Sequence, residues 1–237
     1  MKHILIVFYL FSSFCIAQQT NVANYHIKYL FKTEDLGTAA SSYNPYLSDA
    51  QKYETNVELK LLFNKERAFF EMSENNKNSV NKMAFALCSC DKPIYMNTVN
   101  KTVKYYSKGS RPMGIPEDKY LLVNDLFLDW ELHDEEKDIN GFTTYKATRI
   151  RTDVQGNKIL ITAWYAPEFP YPYGPLNYGG LPGLIVQVQE GNKMFVLSKI
   201  EFDKNTVIPT EPTQGEVMTA EEYKKMEYET YLNMSKR

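Results

Sequence analysis

Apolar side chains recur at every second position along most of this chain, a period that extended strands with one buried face satisfy and helices do not. Tyr25, Ile27, Tyr29 and Phe31 share one face, while His26, Lys28 and Lys32 share the other. Tyr53, Val57, Leu59, Leu61 and Phe63 repeat the pattern, and Asn64-Lys65-Glu66 then turns the chain into Ala68-Phe69-Phe70-Glu71-Met72. Ile94-Tyr95-Met96 pairs with Val103-Lys104-Tyr105-Tyr106 across Val99-Asn100-Lys101. Gly156-Asn157 and Gly191-Asn192 each sit between alternating runs and read as two-residue turns with glycine first. Residues 120–123, 128–132 and 142–150 add further segments. The sum is about ten strands, near the limit at which one open sheet curls. The expected fold is therefore mainly β: a single curved antiparallel sheet or half-barrel. Only the C-terminus reads as helix. Thr219-Ala220-Glu221-Glu222 has the capping-box pattern, and Tyr223, Met226, Thr230 and Met234 follow at helical spacing, so one late helix packs against the open side of the sheet.

One segment breaks the alternation. Residues 166–183 hold five of the 11 prolines and four of the 11 glycines, which excludes helix and central strand. The same segment carries Phe169, Tyr171, Tyr173, Leu176, Tyr178 and Leu181, so it reads as a stiff loop packed down by its own aromatics. Gly180 and Gly183 bracket Leu181-Pro182, a spacing suited to a tight turn. Gly183 is expected at positive φ, setting the strand that opens at Leu184-Ile185-Val186.

Residues 1–17 have the form of a secretory signal peptide. Lys2 and His3 precede Ile4-Leu5-Ile6-Val7-Phe8-Tyr9-Leu10-Phe11, a run shorter than the ~20 residues a membrane-spanning helix needs, and Cys15-Ile16-Ala17 suits cleavage after Ala17. Phe14 before Cys15 and Ser12 in place of leucine argue against lipid attachment. The expectation is an exported, periplasmic protein that does not span a membrane, with residues 18–237 forming one domain. The whole chain has a formal charge of −2, one unit more negative without Lys2, and mixed signs throughout; this names neither nucleic acid nor an anionic membrane as partner. Aromatic residues make up 14%, with 18 tyrosines against 2 tryptophans, which suits strands that present amphipathic rings.

Trp164-Tyr165-Ala166-Pro167-Glu168-Phe169-Pro170, then Gly174-Pro175, then Gly180-Leu181-Pro182-Gly183-Leu184-Ile185 resemble, in order, the signature of the GLPGLI family, exported proteins of Bacteroidetes-type bacteria. Asp129-Trp130, Ile139-Asn140-Gly141-Phe142 and Lys146-Ala147 resemble that family's central strand pair, with Thr144 standing where many relatives have cysteine. The resemblance brings no biochemical activity. It implies a link to TonB-dependent outer-membrane receptors, beside which such proteins are encoded. The general build is similar to the half-barrel of periplasmic lipoprotein carriers, a likeness of fold and not of function.

Several groups invite chemistry. Cys88 and Cys90 could hold a soft metal such as copper, form a local disulfide, or remain thiols. His133-Asp134-Glu135-Glu136 lacks the second histidine of a zinc protease and reads as a solvated turn; Asp125, Asp129 and Glu168 read as solvated carboxylates. No nucleophile elbow, phosphate loop or dinucleotide fingerprint occurs, so neither a catalytic centre nor a cofactor or metal is expected. Trp164 and Tyr165 form either a core pair or a recognition surface. The leading expectation is a non-enzymatic exported binding or accessory protein with an apolar, peptide-like or protein ligand at the 164–185 surface. Trp164, Tyr165, Glu168, Gly174, Pro175 and Tyr178 would face the ligand, and Gly180, Leu181, Pro182, Gly183, Leu184 and Ile185 would shape the turn. The alternatives are a periplasmic hydrolase using His133 and a copper-binding protein using Cys88 and Cys90.

Overall fold

The computed structural model describes residues 19–30, 57–73, 90, 92–109, 115–116 and 119–235. The leader, the expected loop at 36–49, Phe31, Tyr53 and Cys88 lie outside them. Among the described residues twelve strands and a helix follow in chain order: β1 Thr20–Tyr29, β2 Glu58–Phe63, β3 Arg67–Met72, β4 Ile94–Asn97, β5 Thr102–Lys108, β6 Lys119–Asp125, β7 Glu131–Ile139, β8 Phe142–Thr152, β9 Lys158–Ala166, β10 Leu184–Glu190, β11 Lys193–Lys204, β12 Glu216–Met218 and α1 Ala220–Ser235. All twelve strands join one open, curved sheet in the order β12-β6-β5-β4-β3-β2-β1-β11-β10-β9-β8-β7, which does not close into a barrel. The mainly β half-barrel with a C-terminal helix is therefore the fold.

Four local expectations change. The sheet is mixed, because β12 returns parallel to β6 after the chain crosses behind the other strands. His133-Asp134-Glu135-Glu136 is not a turn but part of edge strand β7, in which only His133 and Ile139 are not exposed. Charges on an unpaired edge block pairing with other chains, so this strand lacks the apolar alternation that marks the others. Residues 128–130, read as the start of a strand, instead form the connection into β7. Thr152 pairs with Lys158, so the turn at Gly156-Asn157 has a five-residue loop. Asp153 organises it, its carboxylate accepting from the Gln155 and Asn157 backbone N–H groups at 2.9 and 2.8 Å. Gly191-Asn192, by contrast, is the two-residue turn expected between Glu190 and Lys193.

Alternation assigns the core to one inner face. Tyr25, Ile27, Leu59, Leu61, Phe63 and Phe70 are wholly buried there. On the outer face Val22, Leu62 and Tyr95 form a smaller cluster closed by Ile208 from the crossing segment. Glu211 pins that segment through Lys104 at 2.6 Å and Asn97 at 3.2 Å.

The capping box forms as read: Glu222 Oε2 accepts from the Thr219 N–H at 2.7 Å, and Thr219 Oγ1 accepts from the Glu222 N–H at 3.1 Å. Tyr223 then packs on Tyr120, Leu122 and Ile115, and its hydroxyl donates to the Lys108 carbonyl at 3.1 Å. The apolar face fades toward Met234, which is half exposed.

Candidate functional site

The 167–183 loop joins β9 to β10 and lies against the inner face of the sheet. Tyr173, Leu176, Tyr178 and Leu181 are buried within the main core. Tyr171 meets Phe63 edge to face at 4.9 Å, and Phe169 meets Phe142 the same way at 5.6 Å, so the loop spans strands from β2 to β8. Its backbone is satisfied without a regular ladder. Leu184 and Ile185 donate to the carbonyls of Phe169 and Tyr173 at 2.9 Å each, and Gly180 donates to Pro172 at 3.0 Å. Trp130 Nε1 donates to the Gly179 carbonyl at 2.9 Å, tying the loop to the connection before β7.

The positive φ expected at Gly183 falls at the other bracketing glycine. Gly180 holds the positive φ, at 86°, whereas Gly183 is absent from that region. Gly183 is needed for space: a Cβ there would stand 2.4 Å from the Ala166 carbonyl oxygen. Gly174 likewise admits Ile185, whose Cβ would lie 2.8 Å from an added methyl.

Trp164 and Tyr165 point to opposite faces of β9. Tyr165 is buried beside Tyr145 with ring centroids 6.3 Å apart, and Trp164 is partly buried with the Lys137 ammonium 5.4 Å from its ring. Pro175 is buried, whereas Glu168, Pro182, Asp125 and Asp129 are exposed. His133 Nε2 shares a 2.7 Å hydrogen bond with Thr148 Oγ1 on the sheet surface. Cys90 is buried and disulfide-bonded, so it offers no thiolate to a metal. Among the described residues no three His, Cys, Asp or Glu side chains cluster as metal ligands.

A different cleft opens where the loop ends, with a volume of about 460 Å³. Leu176, Asn177 and Tyr178 form one wall, and Ile94 and Tyr105 form another. Of the ligand residues expected from sequence, only Tyr178 reaches it. The remaining lining among the described residues is charged: Lys92, Arg149, Arg151, Lys193 and Lys224 face a single carboxylate, Glu190. Arg149 and Arg151 come from alternate positions of β8, and Glu190 and Lys193 flank the β10–β11 turn. Lys224 arrives from α1.

Glu190 is held at the centre. Tyr178 donates its hydroxyl to Oε2 at 2.5 Å, and Arg151 Nε donates to Oε1 at 3.0 Å. Burial opposes ionisation of Glu190, yet the Tyr178 and Arg151 hydrogen bonds outweigh it and hold the carboxyl below its usual range. Burial, reinforced by the Glu190 charge, pushes the Tyr178 hydroxyl well above the ordinary tyrosine range. Burial, then the Arg151 charge, lowers the Lys224 ammonium. Arg149 places its guanidinium over the Trp130 ring, 5.9 Å from its centroid, and its buried Nε makes no hydrogen bond. Sequence reading missed this group because its members come from five separate segments; the Arg149/Arg151 alternation was the one local sign.

No curated protein matches the chain. A family model described as a protein of unknown function (Porph_ging) matches residues 151–187, which run from the end of β8 through the loop into β10. Two solved structures of PNGF-II, in the P21 and C2 space groups, share the fold with TM-scores of 0.53 and 0.52. They are 14% and 13% identical over 90% of this chain, a likeness of fold alone. This chain spans 34% and 33% of their lengths, so it is similar to about one third of those longer proteins.

Proposed function

We propose that this protein is a non-catalytic, exported binding or accessory module of the GLPGLI type that holds a small ligand in the cleft walled by Tyr178 and Tyr105. One observation carries the reading: beside the buried aromatic loop a cleft of about 460 Å³ opens, lined by both aromatic and charged side chains. Pockets of that size, part apolar and part polar, suit small ligands. The expected surface thus moves from the Trp164 end of the loop to its Tyr178 end. Export rests on the leader-like residues 1–17, with the mature chain beginning at Gln18. The resemblance supports an outer-membrane TonB-dependent receptor as the associated partner.

The test is native mass spectrometry of the protein purified from its own host, beside an Asn177→Trp variant that blocks the cleft. A small molecule carried by the parent and lost from the variant supports the reading. A molecule retained in both overturns it, as does a protein that is empty in both and also takes up no added aromatic acid or phosphate. The same measurement gives the intact mass, which checks the start at Gln18 and an unmodified N-terminus.

A further inference from the structure

We infer that the cleft takes a small organic anion, a carboxylate or phosphate group on an apolar body, with Arg149 as its principal partner. This rests on the cleft being a ligand site and adds the chemistry of the ligand.

Charge balance is the first argument. Among the described residues five cationic side chains line the cleft against one carboxylate, and that carboxylate is already shared by Arg151 and Tyr178. Lys92 donates to Ser107 Oγ at 3.2 Å, a neutral partner, and forms no ion pair among the described residues. Among the described residues neither Lys193 nor Lys224 forms an ion pair. Glu227, on the same helix as Lys224, is the other carboxylate whose charge is felt there. Like charges gathered in a half-enclosed space repel one another, and a bound oxyanion would turn that cost into attraction.

Arg149 supplies the second argument. Its Nε is buried and has no acceptor, which is costly for a charged donor. The Trp130 ring, its centroid 5.9 Å away, attracts the guanidinium without consuming its hydrogen-bond donors. A planar fork matches the two oxygens of a carboxylate or phosphate, and a lysine could not reproduce it. A neutral acceptor could take the Arg149 hydrogen bonds without offsetting its charge, and a cation would add to the repulsion.

Ile94, Leu176 and the ring of Tyr105 supply apolar lining beside the charges, so free inorganic phosphate would satisfy only part of the cleft.

Isothermal titration with phenyl phosphate, phenylacetate, inorganic phosphate, benzyl alcohol and benzylamine tests the inference. Phenyl phosphate or phenylacetate is expected to bind more tightly than inorganic phosphate, and whichever of the two binds better identifies the oxyanion. Benzyl alcohol and benzylamine should show no binding, and affinity should fall as salt rises. Arg149→Met and Lys224→Gln should each weaken the best probe by about tenfold, the loss of one charge-assisted contact. Lys158→Gln, outside the cleft, should leave affinity unchanged. If Arg149→Met does not fold, Lys224→Gln on α1 decides alone. Benzyl alcohol binding as well as phenyl phosphate would overturn the inference, as would undiminished binding in the Lys224→Gln variant. If no probe binds while the host-purified protein carries a neutral molecule excluded by Asn177→Trp, the anion is wrong and the binding module stands. An empty host protein that also binds no probe removes both.

Discussion

The hydroxyl of Tyr25 donates to the carbonyl of Ile185 at 2.7 Å, joining the first strand to the last residue of the Gly-Leu-Pro-Gly-Leu-Ile run across 160 positions. Ile185 needs this partner. The β10–β11 ladder begins only at Gln187, and the β10–β9 register shifts between Ile185 and Gln187. The Ile185 N–H goes to Tyr173, and without Tyr25 its carbonyl would be buried and unmatched. Tyr25→Phe should therefore cost about 1–3 kcal/mol, the usual loss for a buried group left without its hydrogen bond. Urea denaturation measures it, and a change below 0.5 kcal/mol, within the ordinary range of a surface substitution, would mean the contact is idle.

Alkaline pH should unfold the protein through the same residue. Burial raises the Tyr25 hydroxyl far above its ordinary value of 10.0, so the folded state keeps a proton that the unfolded chain releases. The sign follows: this contribution is complete below pH 10 and is lost as pH rises from there. Each such tyrosine steepens the decline by up to about 1.4 kcal/mol per pH unit. Stability curves from pH 9 to 11, a window of roughly one unit either side of the ordinary tyrosine value, should be shallower for Tyr25→Phe than for the parent. Parallel curves would contradict the assignment.

Gly183 and Gly156 separate two reasons for glycine. At Gly183 an added methyl meets the Ala166 carbonyl oxygen at 2.4 Å, and backbone must move. At Gly156 φ is +87° and the surrounding space is empty. Gly183→Ala should cost about 2–3 kcal/mol as overpacking, and Gly156→Ala about 1 kcal/mol as backbone strain. Equal losses in thermal or chemical denaturation would show that crowding at Gly183 relaxes freely.

The difference between those glycines also marks what a sequence displays. Alternation at Tyr25, Ile27 and Tyr29 was visible because one-sided burial imposes a local period. Prolines among aromatics announced a packed loop for the same local reason. The clash that fixes Gly183 comes from Ala166, 17 positions away, and no local pattern encodes it. β7 was obscured because an edge strand exposed on both faces carries charge where an inner strand carries apolar residues. The cleft was hidden most completely, since Lys92, Arg149, Glu190, Lys193 and Lys224 meet only after the sheet has curved.

Edge strand β7 yields a further expectation. Asp134 is exposed, Glu135 ion-pairs with Lys146 at 2.7 Å, and Glu136 accepts from the Tyr145 hydroxyl at 3.2 Å. These charges keep the open edge from pairing with another copy. An Asp134→Val/Glu136→Val double variant should elute earlier than the parent in size-exclusion chromatography, increasingly so at higher concentration. Unchanged elution would show that other features guard this edge.

The two ends of the loop can be told apart by Trp164 and Tyr178. Trp164 is partly buried and packs against the core with Lys137 over its ring, and it is not among the cleft residues. Trp164→Ala should therefore cost stability, about 1–3 kcal/mol against the 3–5 of a fully buried tryptophan, and leave phenyl phosphate affinity unchanged. Tyr178→Phe should do the reverse at the site. It removes one of the hydrogen bonds that hold Glu190, freeing that carboxylate to turn toward the cleft and oppose an anion, so affinity should fall severalfold. Titrating both variants with the same probe decides the matter: a Trp164→Ala variant that folds yet loses binding would return the site to the Trp164 end.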